Sequence, residues 1–254
     1  MADLGTLNPG YGDSTAHAIN DAGVIVGHSD VSPGAVRAFR HSGGTMQDLG
    51  TLGGTSSVAR ALNESGVIVG ESSLAGYSSH AFRYSNGLMI DLGTLDDGPG
   101  ISFSRAQGIN EAGDIVGVSS IAGSDLPHAF IVYSGGAMQD LNTLVETVPG
   151  VYFYDSFGIN DLGQIVASGS NGRAYLLTPI NAPGGLQVNV VQAAAQWRVD
   201  GGPWQAGGSS VLGLAIGDHL IEYSEIAGYT RPSSEVVTIS SGRLLQLNRS
   251  YNNP

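Results

Sequence analysis

Six histidines, 22 carboxylates and no cysteine define the chemistry open to this chain. Without a thiol there can be no disulfide framework, thiolate nucleophile or zinc-thiolate site. The histidines stand at 17, 28, 41, 80, 128 and 219, and no H-x-x-x-H or H-E-x-x-H spacing joins any two of them. A metal site needs several ligands at about 2 Å from one ion, so neither a metal nor a cofactor is expected. Serines are abundant, yet there is no G-x-S-x-G elbow, and spacing nominates no Ser, His and Asp as a triad. Four carboxylates, Asp21, Glu64, Glu111 and Asp161, recur in matching contexts. Glycoside hydrolysis would need two of them within roughly 5 to 10 Å of each other. Calcium would need six to eight oxygens in one locality, which only the Asp96-Asp97-Gly98 loop begins to offer. The chain reads as non-catalytic.

The matching contexts lead to the elements that position these residues. DLGTL begins at Asp3, Asp48 and Asp91, and DLNTL at Asp140. In step with it run AINDAGVIVG from Ala18, ALNESGVIVG from Ala61, GINEAGDIVG from Gly108 and GINDLGQIVA from Gly158. Asn, an acid, a variable residue and Gly describe a type I turn followed by a left-handed position, which glycine adopts cheaply. Asn20, Asn63, Asn110 and Asn160 open these turns, and Gly23, Gly66, Gly113 and Gly163 close them. A third signature, RAFRH, HAFRY, HAFIVY and RAYLL, alternates like a strand. Gly43-Gly44, Asn86-Gly87 and Gly135-Gly136 supply a second hairpin turn per unit. Each unit thus reads as four short antiparallel strands, the AIN, VIVG, HAF and DLGTL strands, which is a propeller blade. The fourth unit has no DLGTL after it and the chain opens with an unattached one. Asp3–Leu7 is therefore expected to pair beside Arg173–Leu177 and close a four-bladed β-propeller over residues 1–180, with the acidic turns spread around the ring.

The four in-register copies resemble the bacterial HAF repeat, named for the tripeptide found at His80-Ala81-Phe82 and His128-Ala129-Phe130; the first and fourth units have Arg in place of His. The resemblance implies export and a β-rich repeat architecture, and brings no activity or ligand with it. Residues 181–185, NAPGG, read as a linker. Residues 186–254 then form about six short strands, the pattern of a small β-sandwich. The strings QWRVDGGPWQAGG and Gly228-Tyr229-Thr230-Arg231-Pro232 look like the PEGA-type and immunoglobulin-like modules of bacterial surface proteins, which act as spacers or attachment units. Of Trp197 and Trp204, which flank the VDGG turn, at least one is expected in the core.

The net charge of −12, with all ten cationic residues arginine, disfavours nucleic acid and anionic membranes as partners. No apolar run reaches the roughly 20 residues of a membrane helix. The chain opens inside a repeat, so a leader peptide is expected to have been removed and the protein to act outside the cell or at its surface. Its partners are then a protein or a glycan, or other copies of itself. A lectin-like role is the alternative, and a secreted hydrolase a more distant one. Candidate contact residues are His17, Arg60, Gln107 and Phe157, which vary at one position just before each AIN or GIN step, and the loop tyrosines Tyr11, Tyr77, Tyr152 and Tyr154.

Overall fold

The computed structural model describes residues 2–76, 78–96, 102–146, 148–180, 183–240 and 242–252. The protein is all-β, with one short 3-10 turn among the described residues. Contacts divide it into a repeat unit, Met1–Asn160 with Ile165–Leu177, and a C-terminal unit, Asp161–Gln164 with Thr178–Pro254.

The repeat unit consists of four antiparallel sheets in chain order. The first contains β1 (Ser14–Ile19), β2 (Ile25–Ser32), β3 (Ala35–Ser42) and β4 (Thr45–Asp48), and the second β5 (Ser57–Leu62), β6 (Ile68–Ser73), β7 (Ser79–Ser85) and β8 (Leu88–Asp91). The third contains β9 (Ser104–Ile109), β10 (Ile115–Ser119), β11 (His128–Val132) and β12 (Met138–Asp140). The fourth has only β13 (Phe153–Ile159), β14 (Ile165–Gly169) and β15 (Ala174–Leu177). The first hairpin of each sheet turns as its sequence demands: Gly23, Gly66, Gly113 and Gly163 all have φ between 72° and 86°.

Successive sheets pack face to face, and each junction has its own core. Val26 and Ala38 of the first sheet meet Ala59, Ile68 and Phe82 of the second. Val69 and Ala81 of the second meet Ala106, Ile115 and Phe130 of the third. Val116, Ala129 and Ile131 of the third meet Phe153, Ile165 and Ala167 of the fourth.

Two expectations are corrected. The fourth strands of the first three units stop at the Asp of the motif, Asp48, Asp91 and Asp140, and do not run through it. Asp3, Asp48 and Asp91 each accept a hydrogen bond from the N–H of the glycine two residues on, at 2.9, 2.8 and 2.7 Å. Those glycines, Gly5, Gly50 and Gly93, lie at φ of 70° to 80°, and this Asx-type turn leads the chain out of the ladder. In the third unit Asn142 replaces the glycine, and Leu141–Thr143 forms the 3-10 turn, capped by Asp140.

The second correction concerns closure. Among the described residues Asp3–Leu7 forms no strand, and the sheet order β13-β14-β15 leaves β15 paired with β14 and not with Asp3–Leu7. The segment instead serves the first sheet as its equivalents serve the later ones. Leu7, Leu52 and Leu95 donate their N–H groups to Ser29, Ser72 and Ser119 at 2.8 to 3.0 Å. Ser14, Ser57 and Ser104 in turn donate to the carbonyls of Gly5, Gly50 and Gly93. DLGTL is thus the connector into the sheet that follows it.

In the C-terminal unit β16 (Gly184–Val190) begins inside the stretch read as a linker and pairs with β19 (Ser210–Leu214) and, in parallel, with β22 (Leu244–Arg249). A second sheet orders β18 (Gln205–Ala206), β17 (Gln196–Val199), β20 (Gly217–Tyr223) and β21 (Glu235–Ile239). The seventh strand arises because the WRVDGGPWQ run folds into a hairpin through Asp200 and Gly201, both at positive φ. Leu186, Val188, Trp197, Ile221, Tyr223 and Ile239, drawn from both sheets, form one core. Trp197 is fully buried and donates its indole N–H to Ala206 at 3.1 Å. Trp204 is outside the core, with Arg198 stacked 4.6 Å over its ring.

Candidate functional site

The variable residues His17, Arg60, Gln107 and Phe157 have one structural explanation: each is the extra residue of a β-bulge. Ala16 faces Gly27 and Ala18 faces Val26, which leaves His17 between them. The register slips in the same way around Arg60, Gln107 and Phe157. A bulge turns one carbonyl over the facing strand, and the glycine of IVG makes room for it. A Cβ on Gly27, Gly70 or Gly117 would stand 1.9 Å from the carbonyl oxygen of Thr15, Val58 or Arg105. The bulge also sends Ala59 and Ala61 to opposite faces, so one joins the core shared with the first sheet and the other the core shared with the third.

Three of the bulge side chains are brought into a polar row along the first strands. His17 Nε2 and His28 Nδ1 lie 2.9 Å apart, their rings stacked at 5.1 Å. Partial covering of the ring, then the proximity of His28 and Arg60, holds His17 below the usual histidine value. Arg60 grips Glu71 through two bonds of 2.8 and 3.2 Å, and Arg105 binds the same carboxylate. Gln107 donates to Asp155 at 2.5 Å. Burial pushes the Asp155 carboxyl up, opposed by hydrogen bonds from the Ser156 N–H and Gln107 and by the charges of Arg105 and Arg60. Phe157, at the end of the row, is half exposed.

The tyrosines do not join this row as a group. Tyr11 precedes β1, Tyr152 leans on His128 with ring centres 5.6 Å apart, and Tyr154 is an exposed residue of β13. Tyr77 lies outside the described residues, as do Asp97 and Gly98 of the loop considered for calcium. Among the described residues no group of three or more His, Cys, Asp or Glu is arranged to hold a metal.

A second set of ionisable side chains joins the third and fourth strands. His80 Nδ1 lies 2.9 Å from Asp91, His128 Nδ1 lies 2.7 Å from Asp140, and Arg37 approaches Asp48 at 3.8 Å. Ser102 Oγ stands 3.4 Å from His80 Nε2, which completes the order of a Ser-His-Asp triad that spacing alone did not reveal. The His–Asp pair recurs in the third unit with Tyr152 beside the histidine, and among the described residues no serine is seen bonded to that histidine. Fastening one strand to the next accounts for both pairs.

The turns stack rather than spread around a ring. The Asn20 side-chain amide donates to the Asn63 carbonyl at 3.3 Å, Asn63 to Asn110 at 3.1 Å and Asn110 to Asn160 at 3.2 Å. Two carboxylates take a backbone N–H from the turn before: Glu64 from Asp21 at 3.0 and 3.1 Å, and Glu111 from Glu64. Ser65 adds a 3.1 Å bond to Glu111. These ladders engage two of the four turn carboxylates, Glu64 and Glu111.

No family model and no curated protein matches this sequence. Solved structures with partial likeness include GBS52, the minor pilin of the Gram-positive pathogen Streptococcus agalactiae. It is 12% identical over 52% of this chain and 70% of its own, with a TM-score of 0.23. The Bacillus anthracis TIE protein is 11% identical over 62% of this chain and 42% of its own, with a TM-score of 0.24. Likeness at that level carries no argument about fold or function. Among the described residues no helix is long and apolar enough to cross a membrane.

Proposed function

We propose that this protein is a non-catalytic structural and interaction module that acts outside the cell or at its surface. In this reading it belongs with HAF-type repeat proteins, its four sheets stand as the blades of an open, propeller-like arc, and the C-terminal unit is a PEGA-like or immunoglobulin-like spacer. One observation carries the reading: recurring side chains of the acidic turns, and the Glu71 carboxylate, hold neighbouring repeats together. Asn20, Asn63 and Asn110 each bond forward to the next turn, Glu64 and Glu111 bond back, and Glu71 is held by two arginines. A catalytic group has to be free to meet substrate.

The enzyme alternative is tested where it is strongest. The purified chain is treated with a fluorophosphonate probe and assayed against panels of esters and glycosides. The expected result is no labelling and no turnover above that of a Ser102→Ala variant. Labelling of Ser102 that His80→Ala abolishes, or turnover of any substrate, overturns the reading. Binding on a glycan array that is lost in Phe157→Ala would move it to the lectin-like alternative.

A further inference from the structure

The repeat unit ends on both sides in half of a junction that it completes three times within itself. Val26, Val69 and Val116 are equivalent and fully buried against the following sheet. Val166 holds the same place in the fourth sheet and is 49% exposed. Beside it Leu176, at the position of Ile131, is 62% exposed where Ile131 is 2% exposed. The first two sheets carry Arg40 and Arg83 there, so leucine replaces a cation at the uncovered end.

The opposite end shows the complementary half. Ala59 and Ala106, which cover the preceding sheet at the inner junctions, are fully buried, whereas their equivalent Ala16 is exposed. Ile19 faces Ile25 as Leu62 faces Ile68 and Ile109 faces Ile115, yet Ile19 is 64% exposed.

We infer that the occupant of each open end is a second copy of this chain, joined head to tail: Ala16 and Ile19 of one copy cover Val166 and Leu176 of the next. The argument for a copy rather than an unrelated protein is continuity. The surfaces needed are the two sides of an interface whose shape and residue types already fit in this sequence. The contact is heterologous, so repetition gives either a closed ring or a growing fibre. At a net charge of −12 the copies repel one another, and added salt strengthens the association by screening. The inference rests on the reading of the chain as a structural module.

The test is sedimentation velocity on the full chain from micromolar to near-millimolar concentration, at low and high salt. The expected result is assembly that increases with both. Two variants block opposite ends, Ile19→Asp and the double variant Val166→Asp with Leu176→Asp. Both changes lie at exposed positions, and circular dichroism verifies folding; if the double variant misfolds, Leu176→Gln takes its place. Each variant alone should stay monomeric, with dissociation raised roughly 10- to 100-fold, while an equimolar mixture should form a dimer that grows no further. A wild-type chain that stays monomeric throughout overturns the inference, as does a mixture that forms nothing. Variants that assemble as well as the parent do the same. None of these outcomes touches the non-catalytic reading, which fails only by labelling or turnover.

Discussion

Replacing Gly70 by Ala isolates a feature of the first three repeats, the bulge facing the IVG glycine; in the fourth repeat Ala167 stands opposite the bulge. Gly70 is not at positive φ, so its backbone tolerates a side chain; the obstacle is space. The new Cβ would lie 1.9 Å from the Val58 carbonyl oxygen and 3.0 Å from Ala59 Cα, where a carbon–oxygen contact needs roughly 3.3 Å. The strands would have to part by more than about 1 Å, in a sheet packed on both faces. Overpacking of that kind costs about 3 kcal/mol. Gly66→Ala is the control: φ is +78° and nothing stands within 4 Å of its Cβ, so the cost is about 1 kcal/mol of left-handed strain. For a unit of this size the two losses correspond to drops in melting temperature of about 10 °C and 3 °C. Both tryptophans are in the C-terminal unit, so their fluorescence follows that unit as an internal reference while far-UV circular dichroism follows the repeats. A Gly70→Ala protein that melts with or above Gly66→Ala would refute the bulge geometry.

Asn63→Ala removes the acceptor for the Val67 N–H and the donor to Asn110, so about 2 kcal/mol should be lost in urea unfolding of the repeats; Asn63→Asp, which keeps the acceptor, should lose less. Deleting residues 1–8 breaks the bonds from Leu7 to Ser29 and from Ser14 to Gly5, so the repeats should lose about 1 to 2 kcal/mol by the same measurement and remain folded. His17 and His219 should contribute to the pH dependence of their two units with opposite signs near neutral pH, as read by the same two signals. His17 is held below its usual value, so its contribution is present above pH 6.5 and the repeats weaken as pH falls below it. His219 is raised by its hydrogen bond to Asp200, so its contribution is complete below pH 6.5 and is lost as pH rises through the folded value. His17→Gln and His219→Gln should each flatten the corresponding profile.

The hairpin grammar was legible because it is local. An Asn-acid-x-Gly turn and an alternating HAF strand announce themselves within ten residues, and the turn glycines take the expected left-handed φ. The Asn ladder was not legible, since its partners are 43 to 50 residues apart and an asparagine that opens a turn already has a local reason to be there. The bulge was half legible. His17, Arg60, Gln107 and Phe157 were singled out for variability, but the cue to their geometry was the identical flank, Ala59 and Ala61, which strict alternation would put on one face. Closure by a DLGTL strand does not follow, because the motif leaves the ladder at its aspartate. The glycine two residues after the aspartate argued for a turn, and Asp3–Leu7 does what Asp48–Leu52 does. The proximity of Ser102 to His80 depends on the path between sheets and has no sequence signal.

If the repeats form an open-ended stack whose two ends are the unused halves of one junction, both ends must be open to solvent. The chain has no cysteine, so single cysteines placed at Ile19, Leu176, Ile131 and Ile115 report their sites alone through the rate of thiol labelling in dilute native protein. The account predicts that Ile19→Cys and Leu176→Cys react nearly as fast as in urea, while Ile131→Cys and Ile115→Cys are protected by orders of magnitude. Protection of Ile19→Cys and Leu176→Cys equal to that of the inner sites, independent of dilution, would mean that the ring closes within one chain and would contradict the account.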